Sequence, residues 1–436
     1  MSKTFYIETY GCQMNVYDSA CISSLLTGAG MTKAEFLEQA DAVIINSCAV
    51  RGHAEERVLG RVGELKGLKT NKPGLKLILC GCVAQEQGKT LLELFKHLDA
   101  VIGTKNYAEL PDILIRLFNE DLKQCRDDMS LSPEENGLGP DFTGQVTAQL
   151  AVMRGCNNHC SYCIVPYVRG PETSRPAPAV LGDMERLARQ GIKEVTLVGQ
   201  NVNSYHWQDL NFPKLLQQSC RVEGIERIRF ITSHPKDLSD ELIAVMAEQP
   251  RVCQHLHLPL QAGSDRILAL MNRRYTIGHF MSLTEKARQA MPELVLTTDI
   301  IAGFPGETEG EFQETLAAVQ AIRFDAAFTY KYSERPGTRA CGLEGNIPEP
   351  EKLDRLNRLI KLQQQITIES NRADIGKTYE VLVEKESKKA KGQFMGRTGG
   401  NKTVAVNSSR ELKPGQTVKV KIEKATQATL VGEVIQ

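Results

Sequence analysis

Three cysteines in eight residues are the part of the chain best equipped for chemistry: Cys156, Cys160 and Cys163, within Arg154-Gly-Cys-Asn-Asn-His-Cys-Ser-Tyr-Cys163. Thiolates spaced this closely can grip one face of a metal centre and leave a position for another molecule. Structural zinc closes its tetrahedron with four protein ligands. No fourth cysteine or well-spaced histidine completes this set, and His159 lies between the thiols, poorly placed to share their ion. A cubane iron–sulfur cluster takes one thiolate per iron, so three thiolates would leave one iron open. An open cluster, a zinc site and ordinary buried cysteines all stand on spacing alone.

A second trio is spread along the first hundred residues. Cys12, Cys48 and Cys82 are separated by 36 and 34 residues, and each follows a strand-like run at residues 5–9, 42–46 or 75–79. Residues 18–28, 54–66 and a stretch from about 86 have helical character. Strands alternating with helices predict a parallel sheet, and ligands gather beyond the carboxyl ends of such strands. Three strand ends would therefore bring three thiols to one edge. One such cysteine is easily read as a small core hydrophobe; three are awkward to read that way. Cys82 is chosen over Cys80 because a glycine precedes it, as Gly11 precedes Cys12, whereas Cys80 belongs to the apolar run.

The elements that must hold these cysteines follow from length and pattern. A chain of 436 residues suggests two to four domains. Lys+Arg and Asp+Glu both total 53, so any nucleic-acid footprint must be local. The amino-terminal residues lack a signal peptide's apolar stretch, and no run approaches the ~18 apolar residues of a membrane span. Twelve cysteines in such a chain predict metal or redox work in a reducing cytoplasm rather than a disulfide framework.

The expected division is 1–120, a small α/β unit; 121–145, a linker rich in Asp, Glu, Gly and Pro; 146–373; and 374–436. In the third segment strand candidates fall at 149–153, 194–198, 227–232, 255–260, 295–301 and 326–332, with helices between them. Six such units predict a partial (β/α)6 barrel rather than the usual eight-stranded one. The Cys156–Cys163 run follows the first strand and so sits in the first loop at the barrel mouth. Other strand ends bring Gln200, Asn201, Ser233, Gln261 and Asp299 to that mouth, with Tyr162 in the cysteine run itself and Glu307 further on. These could bind a cofactor, and singly each is equally an ordinary hydrogen-bonding rim residue.

Residues 374–436 carry 12 Lys+Arg against 7 Asp+Glu. Runs at 379–384, 403–406, 417–422 and 429–435 predict a small antiparallel β-barrel of the oligonucleotide-binding kind. Lys388, Lys389, Phe394, Arg397, Asn401 and Lys402 are its candidate RNA contacts, with Lys391 in the same cluster. The plain alternative is a solvated positive surface.

The C-x3-C-x2-C run with Tyr162 before its last cysteine resembles the radical S-adenosylmethionine (SAM) enzymes. The whole chain resembles, within them, the methylthiotransferase family. The residues carrying this are Thr9-Tyr-Gly-Cys-Gln-Met-Asn15, Asn46-Ser-Cys-Ala-Val-Arg51 and Gly81-Cys-Val-Ala-Gln85, then Gly155 to Tyr167, His257-Leu-Pro-Leu-Gln261 and Tyr332-Ser-Glu-Arg-Pro-Gly-Thr338. Ser47 stands where the family commonly has threonine, and Pro171 interrupts a usually charged segment before Arg175; neither removes a cysteine. The resemblance implies three modules: a methylthiotransferase amino-terminal domain, a radical SAM core and a TRAM domain. It implies two 4Fe-4S clusters, an auxiliary one on Cys12, Cys48 and Cys82 and a SAM-binding one on Cys156, Cys160 and Cys163. SAM would serve as both methyl donor and radical source. The implied reaction places a methylthio group on carbon 2 of N(6)-isopentenyladenosine at tRNA position 37. The implied partners are tRNA, an electron donor such as flavodoxin or ferredoxin, and a sulfur donor, for a cytoplasmic monomer.

Other branches of the family modify an aspartate of a ribosomal protein or threonylcarbamoyl-adenosine. Gln13-Met14-Asn15 and the basic Gly396-Arg-Thr398 with Asn401-Lys402 favour the prenylated tRNA branch over the ribosomal-protein one. A non-catalytic iron–sulfur RNA-binding regulator would not need a six-strand SAM barrel.

Overall fold

The computed structural model describes residues 3–49, 52–120, 123–129, 139–388, 390 and 392–435, and its chain packs as two compact units. The first holds residues 1–143, 149–157 and 163–175; the second holds 144–148, 158–162 and 176–436.

The first unit is built on a six-stranded parallel sheet. Its strands are β1 (Thr4–Thr9), β2 (Thr32–Lys33), β3 (Ala42–Ser47), β4 (Lys76–Gly81), β5 (Ala100–Ile102) and β6 (Gln124–Arg126), in the order β2-β1-β3-β4-β5-β6. Every residue of β3 and β4 is buried, as expected where helices cover both faces of a parallel sheet. The side chains alternate: Val43, Ile45, Leu77 and Leu79 pack to one face, and Ala42, Ile44, Ile78 and Cys80 to the other. Burying each Leu or Ile contributes roughly 1.5–3 kcal/mol, which pins the register and so the height of the strand ends. Cys80 is core, as its apolar run suggests.

Several boundaries differ from the sequence reading. Helix α1 (Gln13–Gly28) starts five residues before the expected 18, because Cys12 and Asn15 form a capping box at its amino end. Helix α2 spans Gly52–Asn71, and helix α3 (Cys82–Gln87) starts at the cysteine itself rather than near 86. The expected linker 121–145 contributes β6 to the sheet edge.

Of the strands that follow, Arg227–Phe230, Glu194–Val198 and Thr147–Ala151 form one three-stranded sheet, in that order. His255–His257, Val295–Ala302 and Ala326–Lys331 form another. Together they give the six expected strands of a partial barrel. The fourth strand stops at His257 instead of 260, since Pro259 has no N–H to continue the ladder. Leu260 N then donates to Thr298 Oγ1 at 2.8 Å, and Gln261 rejoins through a bridge to Ile300. The carboxyl-terminal module is a closed barrel of Thr378–Glu386, Gln393–Thr398, Thr403–Asn407, Leu430–Val434 and Thr417–Ala425, around Val381, Phe394, Val404, Val420 and Ile422. Its second strand is absent from the sequence reading.

Candidate functional site

The sheet of the first unit explains how residues 36 and 34 apart meet. Strands β1, β3 and β4 are adjacent and parallel, with Thr9 paired to Asn46 and Asn46 to Cys80, so their carboxyl ends are level. Cys12 caps α1, Cys48 follows β3, and Cys82 opens α3. The glycines before the outer two are required for close approach. A Cβ on Gly11 would lie 2.6 Å from Cys48 Cβ, and one on Gly81 (φ +96°) 2.6 Å from Asn46 Oδ1. Only glycine lets both neighbours close on the 46–48 segment.

Buried amides lock this edge. Asn15 Nδ2 donates to Asn46 Oδ1 at 3.1 Å and to Ser47 O at 2.9 Å; Asn46 Nδ2 returns to Asn15 O at 3.0 Å. Asn15 Oδ1 accepts from Cys12 N at 3.2 Å and from Cys12 Sγ at 3.3 Å. The Cys12 thiol is pulled down to about 6, chiefly by the Cys48 thiol beside it, then by the charge of Arg169 and the N–H groups of Asn15 and Met14. Burial pushes the Cys82 thiol up, opposed by the same arginine. Asp18, fully buried on α1, accepts from Arg169 Nη2 at 2.8 Å and from Arg154 Nη1 at 3.1 Å. Sequence reasoning passed over all three residues, although the two arginines flank the second cysteine run.

That run is fixed by backbone bonds within each unit. In the first, Cys156 N donates to Gly170 O at 3.2 Å, and Gly155 (φ +73°) could carry no Cβ, which would fall 2.5 Å from the same oxygen. In the second, His159 (φ +47°) is exposed, so its ring does not join the thiols. Ser161 N and Oγ donate to Met271 O and Leu270 O, and Ala340 N donates to Ser161 O. Buried Arg273 donates from Nη1 to Cys160 Sγ at 3.4 Å. Tyr162 stands edge-on to Phe304, with ring centres 6.5 Å apart.

The mouth residues expected to bind a cofactor lie at strand ends of the second unit. Gln200 and Asn201 follow Glu194–Val198, and Ser233 follows Arg227–Phe230; Val202 N to Thr232 O and Asn203 Nδ2 to His234 O tie the two loops together. Gln200 Oε1, Asn201 Oδ1, Ser233 Oγ and His234 Nε2 are buried without a hydrogen-bond partner. Four such atoms in one place are costly unless a bound molecule satisfies them. Thr232 (φ +67°) and Gln261 (φ +70°) hold strained conformations beside them. Gln261 N donates to Asp299 O at 2.8 Å. Asp299 Oδ2 contacts His257 Nε2 at 3.2 Å, and His257 Nδ1 meets Thr297 Oγ1 at 3.0 Å. Glu307 turns away: its carboxylate accepts from Arg355 Nη1 at 2.9 Å and from Gly303 N at 2.8 Å, inside the protein.

Two of the expected RNA contacts are corrected by the fold. Phe394 is buried in the core of the carboxyl-terminal barrel and presents no ring to a base. Lys402 donates to Asp374 Oδ2 at 2.7 Å and to Ser370 Oγ at 2.9 Å, so its charge is neutralised internally. Arg397 pairs with Glu384 at 3.2 Å and with Asn401 Oδ1. The loop between these strands is docked, since Arg227 donates to the carbonyls of Arg397 and Glu380 and Arg229 to that of Gly399. Lys388 is exposed, whereas Lys389 and Lys391 lie outside the described residues.

Among the described residues no three His, Cys, Asp or Glu side chains stand together as a single-ion site. A mononuclear ion needs its donors gathered at one point, with Zn–S bonds of ~2.3 Å, while a cubane offers a separate iron to each thiolate. All-cysteine donor sets, one thiol already drawn towards thiolate, and orphaned acceptors at the mouth fit clusters and a polar cofactor.

Family models match in three places: the Radical SAM superfamily at residues 150–319, the uncharacterized protein family UPF0004 at 4–103 and the TRAM domain at 372–435. A "tRNA-2-methylthio-N(6)-dimethylallyladenosine synthase" of Clostridium novyi is 45% identical over 100% of this chain and 97% of its own. One of Caldicellulosiruptor saccharolyticus is 45% identical over 100% and 93%. Among solved structures, the radical SAM methyltransferase TsrM of Kitasatospora setae, with cobalamin and a [4Fe-4S] cluster bound, superposes with a TM-score of 0.56 at 14% identity, over 91% of this chain and 81% of that one; this likeness concerns the fold. On full-length identity to the curated relatives, the chain belongs to the tRNA-2-methylthio-N(6)-dimethylallyladenosine synthase family.

Proposed function

We propose that the protein is a radical SAM methylthiotransferase that replaces the hydrogen on carbon 2 of N(6)-isopentenyladenosine at tRNA position 37 with a methylthio group. The observation that carries this is a pair of all-cysteine trios in a chain 45% identical, end to end, to synthases of that name. When bound, a SAM-ligated 4Fe-4S cluster supplies a carbon radical, and an auxiliary cluster with an open iron supplies a site for sulfur.

The chain's own residues then have definable work. Cys156, Cys160 and Cys163 hold the first cluster, and Arg273 steadies Cys160. Gln200, Asn201 and Ser233 present acceptors suited to the ammonium and hydroxyl groups of SAM, and their enclosure excludes water from a reactive intermediate. Gln261, Asp299 and Tyr162 complete that cradle. Cys12, Cys48 and Cys82 hold the second cluster at the sheet edge. Exposed Lys388, in the basic turn between the first two strands of the carboxyl-terminal barrel, is left to meet phosphate. A flavodoxin or ferredoxin provides electrons, a separate donor provides sulfur, and the enzyme works as a cytoplasmic monomer. No helix among the described residues is long and apolar enough to cross a membrane.

The test is mass spectrometry of nucleosides after the reduced enzyme meets SAM, sulfide and either prenylated or unprenylated tRNA. A methylthio mass gain on the prenylated adenosine alone is expected. Modification of a ribosomal protein instead would overturn the substrate assignment.

A further inference from the structure

Arg169 ends the short helix Val165–Arg169 and belongs to the same compact unit as Cys12, Cys48 and Cys82. Its side chain is only 4% exposed, and Nη2 is held by the wholly buried Asp18. Nη1 is also buried and makes no hydrogen bond. A buried donor left unpaired is costly, and more so on a charged group, so its place calls for an acceptor.

The surroundings indicate which kind. Ile164 and Val168, from the turn and helix that carry Arg169, pack in the apolar cluster that contains Cys82. Thr104 Oγ1 anchors the helix through Val168 O at 2.6 Å. The Arg169 charge draws down the thiols of both Cys82 and Cys12. Asp18, the carboxylate that grips Nη2 among the described residues, is engaged by Arg154 as well, and the Cys82 thiol lies within reach of the Arg169 side chain, which makes sulfur the anionic partner for Nη1–H.

We propose that Arg169 is a positioning residue of the amino-terminal centre: oriented by Asp18, it donates Nη1–H to an anionic sulfur held there. That sulfur is either part of the cluster or a sulfide bound at its open iron. The proposal rests on the reading that Cys12, Cys48 and Cys82 hold a cluster.

The experiment uses the full chain with Cys156, Cys160 and Cys163 replaced by alanine, so that any iron–sulfur signal comes from the amino-terminal trio. Into this parent go R169Q, R169K and the pair D18N/R169Q, which leaves no carboxylate buried without its arginine. Each is reconstituted, assayed for iron, titrated electrochemically under electron paramagnetic resonance, and titrated with hydrosulfide. Losing a cationic donor to sulfur disfavours the reduced, more negative cluster. R169Q and D18N/R169Q should shift the reduction equilibrium about tenfold, ~59 mV for one electron, and weaken hydrosulfide binding about tenfold. R169K keeps a charge for Asp18 but has no second nitrogen; it should lose hydrosulfide affinity like R169Q while moving the potential less. A shift in potential alone assigns the acceptor to a cluster sulfur, and a loss of hydrosulfide affinity alone assigns it to the exogenous sulfide; either supports the proposal. Unchanged potential and affinity in iron-loaded R169K and D18N/R169Q overturn it and leave the cluster reading intact. A parent that takes up no iron overturns both.

Discussion

The two cysteine trios, for which we propose the same chemistry, are built in opposite ways. Cys12, Cys48 and Cys82 come from three strands of one sheet, each anchored by a run of core residues and cross-braced by Asn15 and Asn46. Cys156, Cys160 and Cys163 come from eight consecutive residues of one loop. The first arrangement draws its geometry from tertiary packing, so it is rigid and two of its thiols are buried. The second draws its geometry from local backbone bonds and a single buried arginine, and all three thiols are partly exposed. A thiol site on strand ends resists reshaping, which suits a centre that must hold sulfur in one place. A loop site leaves its thiols partly exposed, where a cofactor can reach them.

The largest effect that could break this comparison is chemical. Replacing Cys12, Cys48 and Cys82 by alanine should abolish the methylthio product yet leave SAM cleavage and about half the iron. Replacing Cys156, Cys160 and Cys163 should abolish both cleavage and product, again with about half the iron. Iron assay and chromatographic detection of 5′-deoxyadenosine read both outcomes. Complete loss of iron from either variant would mean that the trios are not independent centres.

A smaller effect sharpens the structural side. Gly81→Ala places a Cβ against Ser47 O and 2.6 Å from Asn46 Oδ1, at φ +96°. Strain of about 1–3 kcal/mol is expected from the backbone alone, with further loss from the clash in a sheet that cannot yield. Gly155→Ala also meets backbone, against Pro171 O and 2.5 Å from Gly170 O, but outside the six-stranded sheet. Thermal unfolding should therefore fall further for Gly81→Ala, with iron lost from the amino-terminal centre, whereas Gly155→Ala should lose iron from the other centre at smaller cost in stability. Equal losses of stability would erase the distinction between sheet-borne and loop-borne sites.

The same contrast explains what the sequence could and could not disclose. The strand ends were legible because the buried centres of β3 and β4, residues 42–45 and 77–79, are apolar throughout, and the cysteines stand just beyond them as punctuation. Asp18 and Arg169 were not legible: they are 151 positions apart, and each alone resembles a surface charge. In the carboxyl-terminal barrel, Gln393–Thr398 alternates in and out, but its inward residues are Phe394, Gly396 and Thr398. A glycine and a threonine on the buried face mute the period-two signal. Phe394 and its basic neighbours consequently read as a binding patch instead of a strand, and Lys402 as an RNA contact when its charge is needed by Asp374.

The mildest test concerns acid. His234, at the mouth, is buried with Nε2 unpaired and beside Arg273, Lys236 and Arg274; burial first, then these charges, hold it neutral with its pKa pushed down to about 2. The unfolded chain would protonate the same ring near 6.5. The folded pKa lies below the unfolded one, so the stabilisation from burying neutral imidazole is present above pH 6.5 and is lost as pH falls towards 2. The slope is at most about 1.4 kcal/mol per pH unit, because one proton is involved. Denaturant unfolding at pH 7.5 and 5.5 should show the second unit weakening by about 1 kcal/mol, and His234→Asn should remove that difference while leaving its neighbours in place. The sheet-borne site has no comparable buried histidine among its described residues, so iron retention at Cys12, Cys48 and Cys82 should be flat across this interval. If His234→Asn kept the full pH slope, the acid sensitivity would belong elsewhere, and the mouth would be as rigidly made as the sheet edge.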